Sequence, residues 1–102
     1  MSKPLILELK EKALKTKILN QKVSVTANQE KTQTIDYTSI EGKIIGSVYI
    51  GSICDTSNRA GITKAIPQIN GTGEEANKVT HLQLCSNTTQ NIYTSILVFY
   101  KD

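Results

Sequence analysis

Apolar and polar residues alternate over several segments of the chain, with the period of two shown by strands that bury one face. Val23 and Val25 alternate with hydroxyl residues, while Ile35 and Tyr37 fall on one side of their segment. Groups of turn-forming residues separate these segments. The pattern predicts strands over residues 23–27, 32–38, 43–53, 62–66, 79–86 and 92–100.

Two of these strands predict where the core lies. In the segment 79–86, Leu82 and Leu84 are expected to point inward, with His81 on the opposite face. Residues 92–100 form the longest apolar run of the chain. Because such a run has no polar face, it predicts burial on both faces, or burial on one face and a subunit contact on the other.

Glycine and proline mark positions where a strand is expected to change. Gly46 and Gly51 interrupt the apolar segment 43–53, and a glycine inside a strand often marks a bulge or the close approach of another backbone. Pro67 is expected to end the short strand before it, because proline cannot donate a backbone hydrogen bond. The residues 70–73 contain two glycines and predict a turn.

The N-terminal segment carries signals of both helix and strand. Pro4 suits the first turn of a helix, and Glu8 and Lys12 have the spacing of a helical ion pair. The apolar residues, however, do not gather on one helical face, and Leu5 and Leu7 alternate with their neighbours as in a strand. We therefore predict an extended strand here, or a strand followed by a helical turn, with a partly helical segment as the alternative.

About seven or eight short strands at intervals near ten residues indicate an all-β fold. The arrangement that we predict is an antiparallel β-sandwich with a jelly-roll-like form. A chain of 102 residues forms one hydrophobic core rather than two. We divide it into a basic N-terminal segment, residues 1–22, and a β-sandwich domain, residues 23–102.

Composition and charge support a folded β domain with a polar surface. Thr, Ser, Asn and Gln together account for 33 of the 102 residues, while charged residues make up only 21%. Residues 1–22 hold six Lys and two Glu, whereas the remaining 80 residues hold six cations and seven anions. A basic arm can bind nucleic acid or an acidic partner, but no aromatic residue lies among these lysines to stack on a base. Nucleic acid is therefore not the expected partner, and a solvated Lys-rich segment is the simpler interpretation.

The sequence also carries expectations about location. No apolar run approaches the ~20 residues that span a bilayer, so membrane insertion is not expected. The N-terminus lacks the apolar region of a signal peptide, which predicts folding in a cytoplasm unless a signal was removed from the mature chain. Cys54 and Cys85 are accordingly expected to be buried thiols, or a disulfide if the domain works outside the cell.

Catalytic and metal-binding constellations are not expected. His81 is the one histidine, and on a strand it lies roughly 13 Å from Cys85, too far for a catalytic pair. Two cysteines and one histidine do not supply a zinc site. The bare Gly71–Gly73 motif lacks the remaining glycines or lysine of a phosphate-binding loop. We therefore predict no enzyme activity, no metal and no cofactor.

What remains is a binding surface predicted for the aperiodic stretch from Asp55 to Asn77. It concentrates amide side chains together with one arginine, groups that recognise sugars or a protein epitope. The alternative is an ordinary polar loop. The residues that we predict to contact a ligand are Asn58, Arg59, Lys64 and Asn70.

Three stretches of the chain resemble a known class of proteins. They are Val23–Asn28 with the residues 34–37 that follow, Gly42–Tyr49, and the closing strand Tyr93–Tyr100, which ends next to a charge. This succession resembles small β-sandwich structural proteins of tailed bacteriophages, of the head-fibre, tail-fibre or baseplate-tip type. The resemblance covers most of residues 22–102 and contains no specific motif.

The resemblance implies a non-enzymatic virion component, assembled in the host cytoplasm and often a homotrimer. Such a protein binds another virion protein, or a polysaccharide or protein of the host surface, and residues 1–22 would be its attachment segment. Two other classes stay open: a cytoplasmic protein-binding module such as an inhibitor or immunity protein, and a carbohydrate-binding module. The last class uses exposed aromatic residues, for which the candidates are Tyr37, Tyr49, Tyr93 and Tyr100.

Overall fold

The computed structural model describes residues 14–54, 61–70 and 77–101, which contain six strands and no α-helix. The strands form two antiparallel sheets of three, the first in the order β1-β6-β3 and the second in the order β2-β5-β4. The predicted all-β class and antiparallel pairing are thereby confirmed. The strands are β1 (Lys15–Val25), β2 (Lys31–Thr34), β3 (Lys43–Cys54), β4 (Ile62–Asn70), β5 (Lys78–Ser86) and β6 (Gln90–Lys101).

One apolar core joins the two sheets. Leu82 and Leu84 of β5 are fully buried, as predicted, while His81 between the neighbouring strands is only half-buried. Ile92 and Ile96 of β6 contribute from the first sheet. The burial alternates along β5 and β6, because successive side chains of a strand point to opposite faces. The buried apolar residues are Leu19, Val23, Val25, Ile35, Val79, Leu82, Leu84, Ile92, Ile96 and Val98.

Buried polar side chains also connect the sheets. The Thr94 hydroxyl, on the central strand of the first sheet, donates to the Gln33 side-chain oxygen of the second sheet at 2.9 Å. The Tyr37 hydroxyl donates to the Val79 carbonyl at 2.6 Å and lies 2.6 Å from the Ser47 hydroxyl. The hydrogen bond between Thr94 and Gln33 is buried and the contacts of Tyr37 are partly buried, and a polar group without a partner is destabilising in such surroundings. They fix which residues of the two sheets face each other.

The structure has six described strands where the sequence predicted seven or eight short ones, because part of the N-terminal segment joins the predicted strand 23–27 in a single strand. β1 begins at Lys15 and pairs with β6 along its whole length, so residues 15–22 lie in a sheet and are not helical. Residues 1–13 lie outside the described residues. The role of residues 1–22 as an attachment segment stays a prediction.

β2 is shorter than predicted, since the chain turns away after Thr34. The Asp36 carboxylate accepts hydrogen bonds from the Thr38 hydroxyl at 2.6 Å and from the Thr38 backbone amide at 3.0 Å. An aspartate that binds the backbone two residues ahead forms a turn in place of a strand. The same two hydrogen bonds, with the hydroxyl contributing most, lower the pKa of Asp36.

The predicted effect of the two glycines in β3 is confirmed. The pairing of β3 with β6 shifts register between Ile44 and Gly46 and again between Tyr49 and Gly51. At Gly46 another backbone comes close, because a Cβ there would lie 3.0 Å from the Asn77 carbonyl oxygen. That oxygen accepts a hydrogen bond from the Ser47 amide at 2.9 Å. The two bulges let β3 follow β6 without interruption.

The prediction that a strand ends at Pro67 is wrong, since β4 continues to Asn70. β4 is an edge strand whose described pairing is with β5 alone, and Pro67 lies opposite Leu82. An edge strand accommodates proline because half of its backbone groups point away from the neighbouring strand. Asn70 is therefore the last residue of a strand, and residues 71–73 of the predicted turn lie outside the described residues.

Candidate interaction face

The side of β6 that points away from the core carries large apolar side chains. Tyr93 is 37% exposed, and Leu97 and Phe99 are half-buried. The intervening residues of the strand face the core. An antiparallel sheet with one solvated face normally alternates apolar residues inside with polar residues outside. The outer side of β6 departs from this rule, and this is why the strand reads as a continuous apolar run in the sequence.

The neighbouring strands extend this apolar surface on both sides of β6. Leu97 is paired with Ile18 of β1 on one side and with Val48 of β3 on the other. Ile18 is 52% exposed and Val48 is 47% exposed. Directly paired residues have their Cβ atoms about 5 Å apart, so the three side chains form a continuous row across the sheet. We call this row, Ile18–Leu97–Val48, the ridge.

Beside the ridge lies a parallel row of short side chains. Asn20, Ser95 and Gly51 are paired in register across the same three strands. The Ser95 hydroxyl donates to the Asn20 side-chain oxygen at 2.7 Å, and a Cβ on Gly51 would meet no atom within 4 Å. We call this row, Asn20–Ser95–Gly51, the trough. It forms part of a groove of about 470 Å³ that is also lined by Ile50, Ser52, Ile53 and Tyr93.

A second apolar row borders the trough on its other side. Tyr93 is paired with Lys22 of β1 and with Ile53 of β3, and Ile53 is 51% exposed. Ile50, the extra residue of the second bulge, is 54% exposed and lines the same groove. We call the whole surface the outer apolar face, made of Ile18, Val48, Ile50, Ile53, Tyr93 and Leu97.

The outer side of the second sheet has the opposite character. Thr32 and Thr34 of β2 are exposed there, paired with Gln83 and His81 of β5. Ile66 and Ile69 of β4, 47% and 57% exposed, are the exposed large apolar side chains among the described residues of the second sheet, and both lie on its edge strand. The two sides of one domain therefore differ, and only the first sheet combines exposure with a continuous apolar surface.

The residues predicted to bind a ligand are not brought together where the structure describes them. Lys64 of β4 forms an ion pair with Glu30, and the two side chains are 33% and 61% exposed. Asn70 lies six residues further along the same strand, which separates the two backbone positions by roughly 20 Å. Asn58 and Arg59 lie outside the described residues. Lys64 is thus engaged in a surface ion pair, a contact that typically contributes at most about 1 kcal/mol.

The residues considered for chemistry are placed apart. Cys54 lies in the first sheet and Cys85 in the second, and neither forms a disulfide within the described residues. Both are partly exposed, so the prediction of buried thiols is wrong. The His81 Nδ1 atom lies 3.0 Å from the Thr80 hydroxyl. Over the described ranges, no group of three or more His, Cys, Asp or Glu side chains could hold a metal ion.

Two further observations bear on the setting of this face. Within residues 14–54, 61–70 and 77–101, no helix is both long enough and apolar enough to cross a membrane. A comparison of the chain with protein-family models, with curated proteins and with solved structures finds no match. The function is therefore argued from the outer apolar face itself.

Proposed function

We propose that this protein is a non-enzymatic structural protein that assembles with copies of itself through the outer apolar face. The observation that carries the proposal is the difference between the two sheets: the first has a continuous apolar surface on its outer side, whereas the second is mostly polar and exposes large apolar side chains only on its edge strand β4. Five side chains of the face have between 37% and 54% of their surface exposed. Together they present on the order of 300 Å² of apolar surface, within the size range of the largest apolar patch on a monomer, which is often functional.

The energy of covering this face supports a reversible contact. At about 25 cal/mol per Å², burying on the order of 300 Å² on each of two copies contributes roughly 15 kcal/mol. The loss of translational and rotational freedom opposes association by an estimated 4–15 kcal/mol or more. The difference is about 0–11 kcal/mol, so we expect association that depends on concentration rather than a permanent complex.

The resemblance to tailed-phage structural proteins supports a virion as the setting. Within this proposal the protein is a jelly-roll-like sandwich that is assembled in the host cytoplasm and works in the virion as a homo-oligomer; proteins of the class that it resembles are often homotrimers. Residues 1–22 attach it to another virion protein, or the domain contacts a polysaccharide or protein of the host surface. No enzymatic step, metal or cofactor is needed for such a role.

A carbohydrate-binding module is the second candidate, and one observation favours it. The groove of the outer apolar face places the exposed ring of Tyr93 near the Asn20 and Ser95 side chains, and sugars bind to such combinations of aromatic and polar groups. A glycan array distinguishes the two functions. Binding that disappears in Tyr93→Ala would favour the sugar-binding function over self-assembly.

The test of self-assembly is the mass in solution, measured by light scattering over a hundredfold range of concentration. We expect the wild-type mass to rise above that of a monomer with concentration. Val48→Glu should remove the rise, because it places a charge on the ridge. Ile66→Glu is the matched control, since Ile66 has the same 47% exposure on the opposite sheet. A wild-type protein that stays monomeric at every concentration would contradict the proposal.

A further inference from the structure

We infer that the outer apolar face meets the same face of a second copy across a two-fold axis that lies between the ridge and the trough. The axis lies in the plane of the contact and runs parallel to the rows. This inference rests on the proposed self-assembly and specifies its partner, its symmetry and its register. The argument uses the order of large and short side chains along the strands of the first sheet.

Four consecutive rows cross this sheet. They are Thr16–Phe99–Gly46, the ridge, the trough, and Lys22–Tyr93–Ile53. Neighbouring rows are two residues apart on β1 and β6, or about 6.7 Å, whereas on β3 the ridge and the trough are three residues apart because Ile50 is the extra residue of the bulge. A two-fold contact is self-complementary, so every feature of the face must fit a feature that the same face also carries.

An axis between ridge and trough meets this requirement. It places the ridge of each copy over the trough of the other, so that Leu97 faces Ser95 and Val48 faces Gly51. Ile18 then faces Asn20. At these paired positions large side chains lie opposite short ones, and this is the condition for two sheets to approach to about 10 Å with interdigitated side chains. Ile50, the extra residue between Val48 and Gly51 on the edge strand β3, lies beside the axis and meets Ile50 of the other copy. The open space above Gly51 is where the Val48 side chain of the other copy fits.

The outer rows are also compatible with this axis. Tyr93 faces Phe99 of the other copy, and such aromatic pairs contribute beyond the area that they bury. Lys22 is the one charged residue of the four rows, and it faces Thr16. The two Lys22 positions are three rows apart, about 20 Å, which exceeds the Debye length of about 8 Å at physiological ionic strength. The contact therefore brings no like charges together.

Other axes parallel to the rows fit less well. An axis through the ridge sets Leu97 against Leu97, and large side chains then hold the sheets apart. An axis through the trough sets Leu97 against Tyr93 and Val48 against Ile53, with the two troughs facing each other across an empty space. Among these axes, the one between the two rows matches large side chains to short ones at the paired positions.

The test exchanges the ridge and trough residues of β6. Ser95→Leu fills the trough, so we expect at least a tenfold weaker dimer, although the face becomes more apolar. Leu97→Ser should also weaken the dimer. The double variant Ser95→Leu/Leu97→Ser has the composition of the wild-type protein and again sets a leucine opposite a serine, so its dissociation constant should return to within about threefold of the wild-type value. The dissociation constant is measured by sedimentation equilibrium over a series of dilutions that takes the dimer to the monomer.

The outcomes separate this inference from the proposed self-assembly. A tighter dimer in Ser95→Leu, or a double variant that stays as weak as the single ones, would overturn the register. A wild-type trimer would overturn the two-fold axis and leave self-assembly standing, whereas a wild-type monomer would contradict self-assembly itself. If Ser95→Leu does not fold, as judged by circular dichroism, Gly51→Val fills the same trough at a position where an added Cβ meets no atom.

Discussion

Replacing Thr94 with valine tests whether the buried polar contact between the sheets stabilises the fold. Thr94 is 1% exposed, and its hydroxyl donates to the side-chain oxygen of Gln33, which is 7% exposed. Valine has nearly the shape of threonine, so the change removes the hydroxyl and leaves the packing in place. The Gln33 oxygen then loses its donor in the interior, where water has little access.

The magnitude follows from the asymmetry of buried hydrogen bonds. An acceptor that is left without a partner destabilises the folded state by about 1–3 kcal/mol, whereas replacing both partners by apolar groups of similar shape is nearly neutral. Thr94→Val should therefore lower the free energy of unfolding by about 1–3 kcal/mol. In the double variant Thr94→Val/Gln33→Leu, the loss should be smaller than the sum of the two single losses.

Urea unfolding provides the measurement, with an unchanged slope showing that the variants differ in stability alone. A loss of 1 kcal/mol corresponds to a fall of roughly 4–8 °C in Tm for a domain of this size. Thr32→Val is the control, because Thr32 is exposed on the outer side of β2 and should change stability by no more than about 0.5 kcal/mol. Strictly additive single losses, or a Thr94→Val variant as stable as the control, would refute the reasoning.

Two further predictions concern the turns. Gly42→Ala should lower the free energy of unfolding by about 1–3 kcal/mol, because Gly42 has φ +134° and an added Cβ would lie 2.5 Å from the Lys101 carbonyl oxygen. Gly51→Ala is the control, and equal stability of the two variants would contradict the strain at Gly42. Thr38→Ala should raise the pKa of Asp36 toward its ordinary value, as followed by NMR titration, because both hydrogen bonds that lower it come from Thr38 and the larger one is lost. The lowered pKa means that the Asp36 carboxylate stabilises the folded state. This stabilisation is present above about pH 4 and is lost as the pH falls through the pKa of Asp36 in the folded state. If Thr38→Ala leaves the pKa of Asp36 unchanged, another group is responsible for lowering it.

The outer apolar face shows how far sequence reasoning reaches toward a site. The apolar run of β6 predicted either burial on both faces or a contact on the outer one, and the structure shows a buried inner face with Tyr93 and Leu97 on the outer side. The contributions of Ile18 and Val48 were not predicted. Ile18 lies among lysines, and Val48 follows a bulge that changes which residues of β3 point outward. No local pattern indicates that the two residues meet at Leu97.

The sequence by itself determined the β class, the core positions of β5 and the bulges at Gly46 and Gly51. These features depend on the period of a strand and on the conformations open to one residue, which are properties of a short stretch of chain. The tertiary structure alone decided that residues 15–22 belong to a sheet, that β4 passes through Pro67, and that the ridge and the trough exist. These features depend on which strands pair and in which register, because pairing is set by contacts between residues that are far apart in the chain.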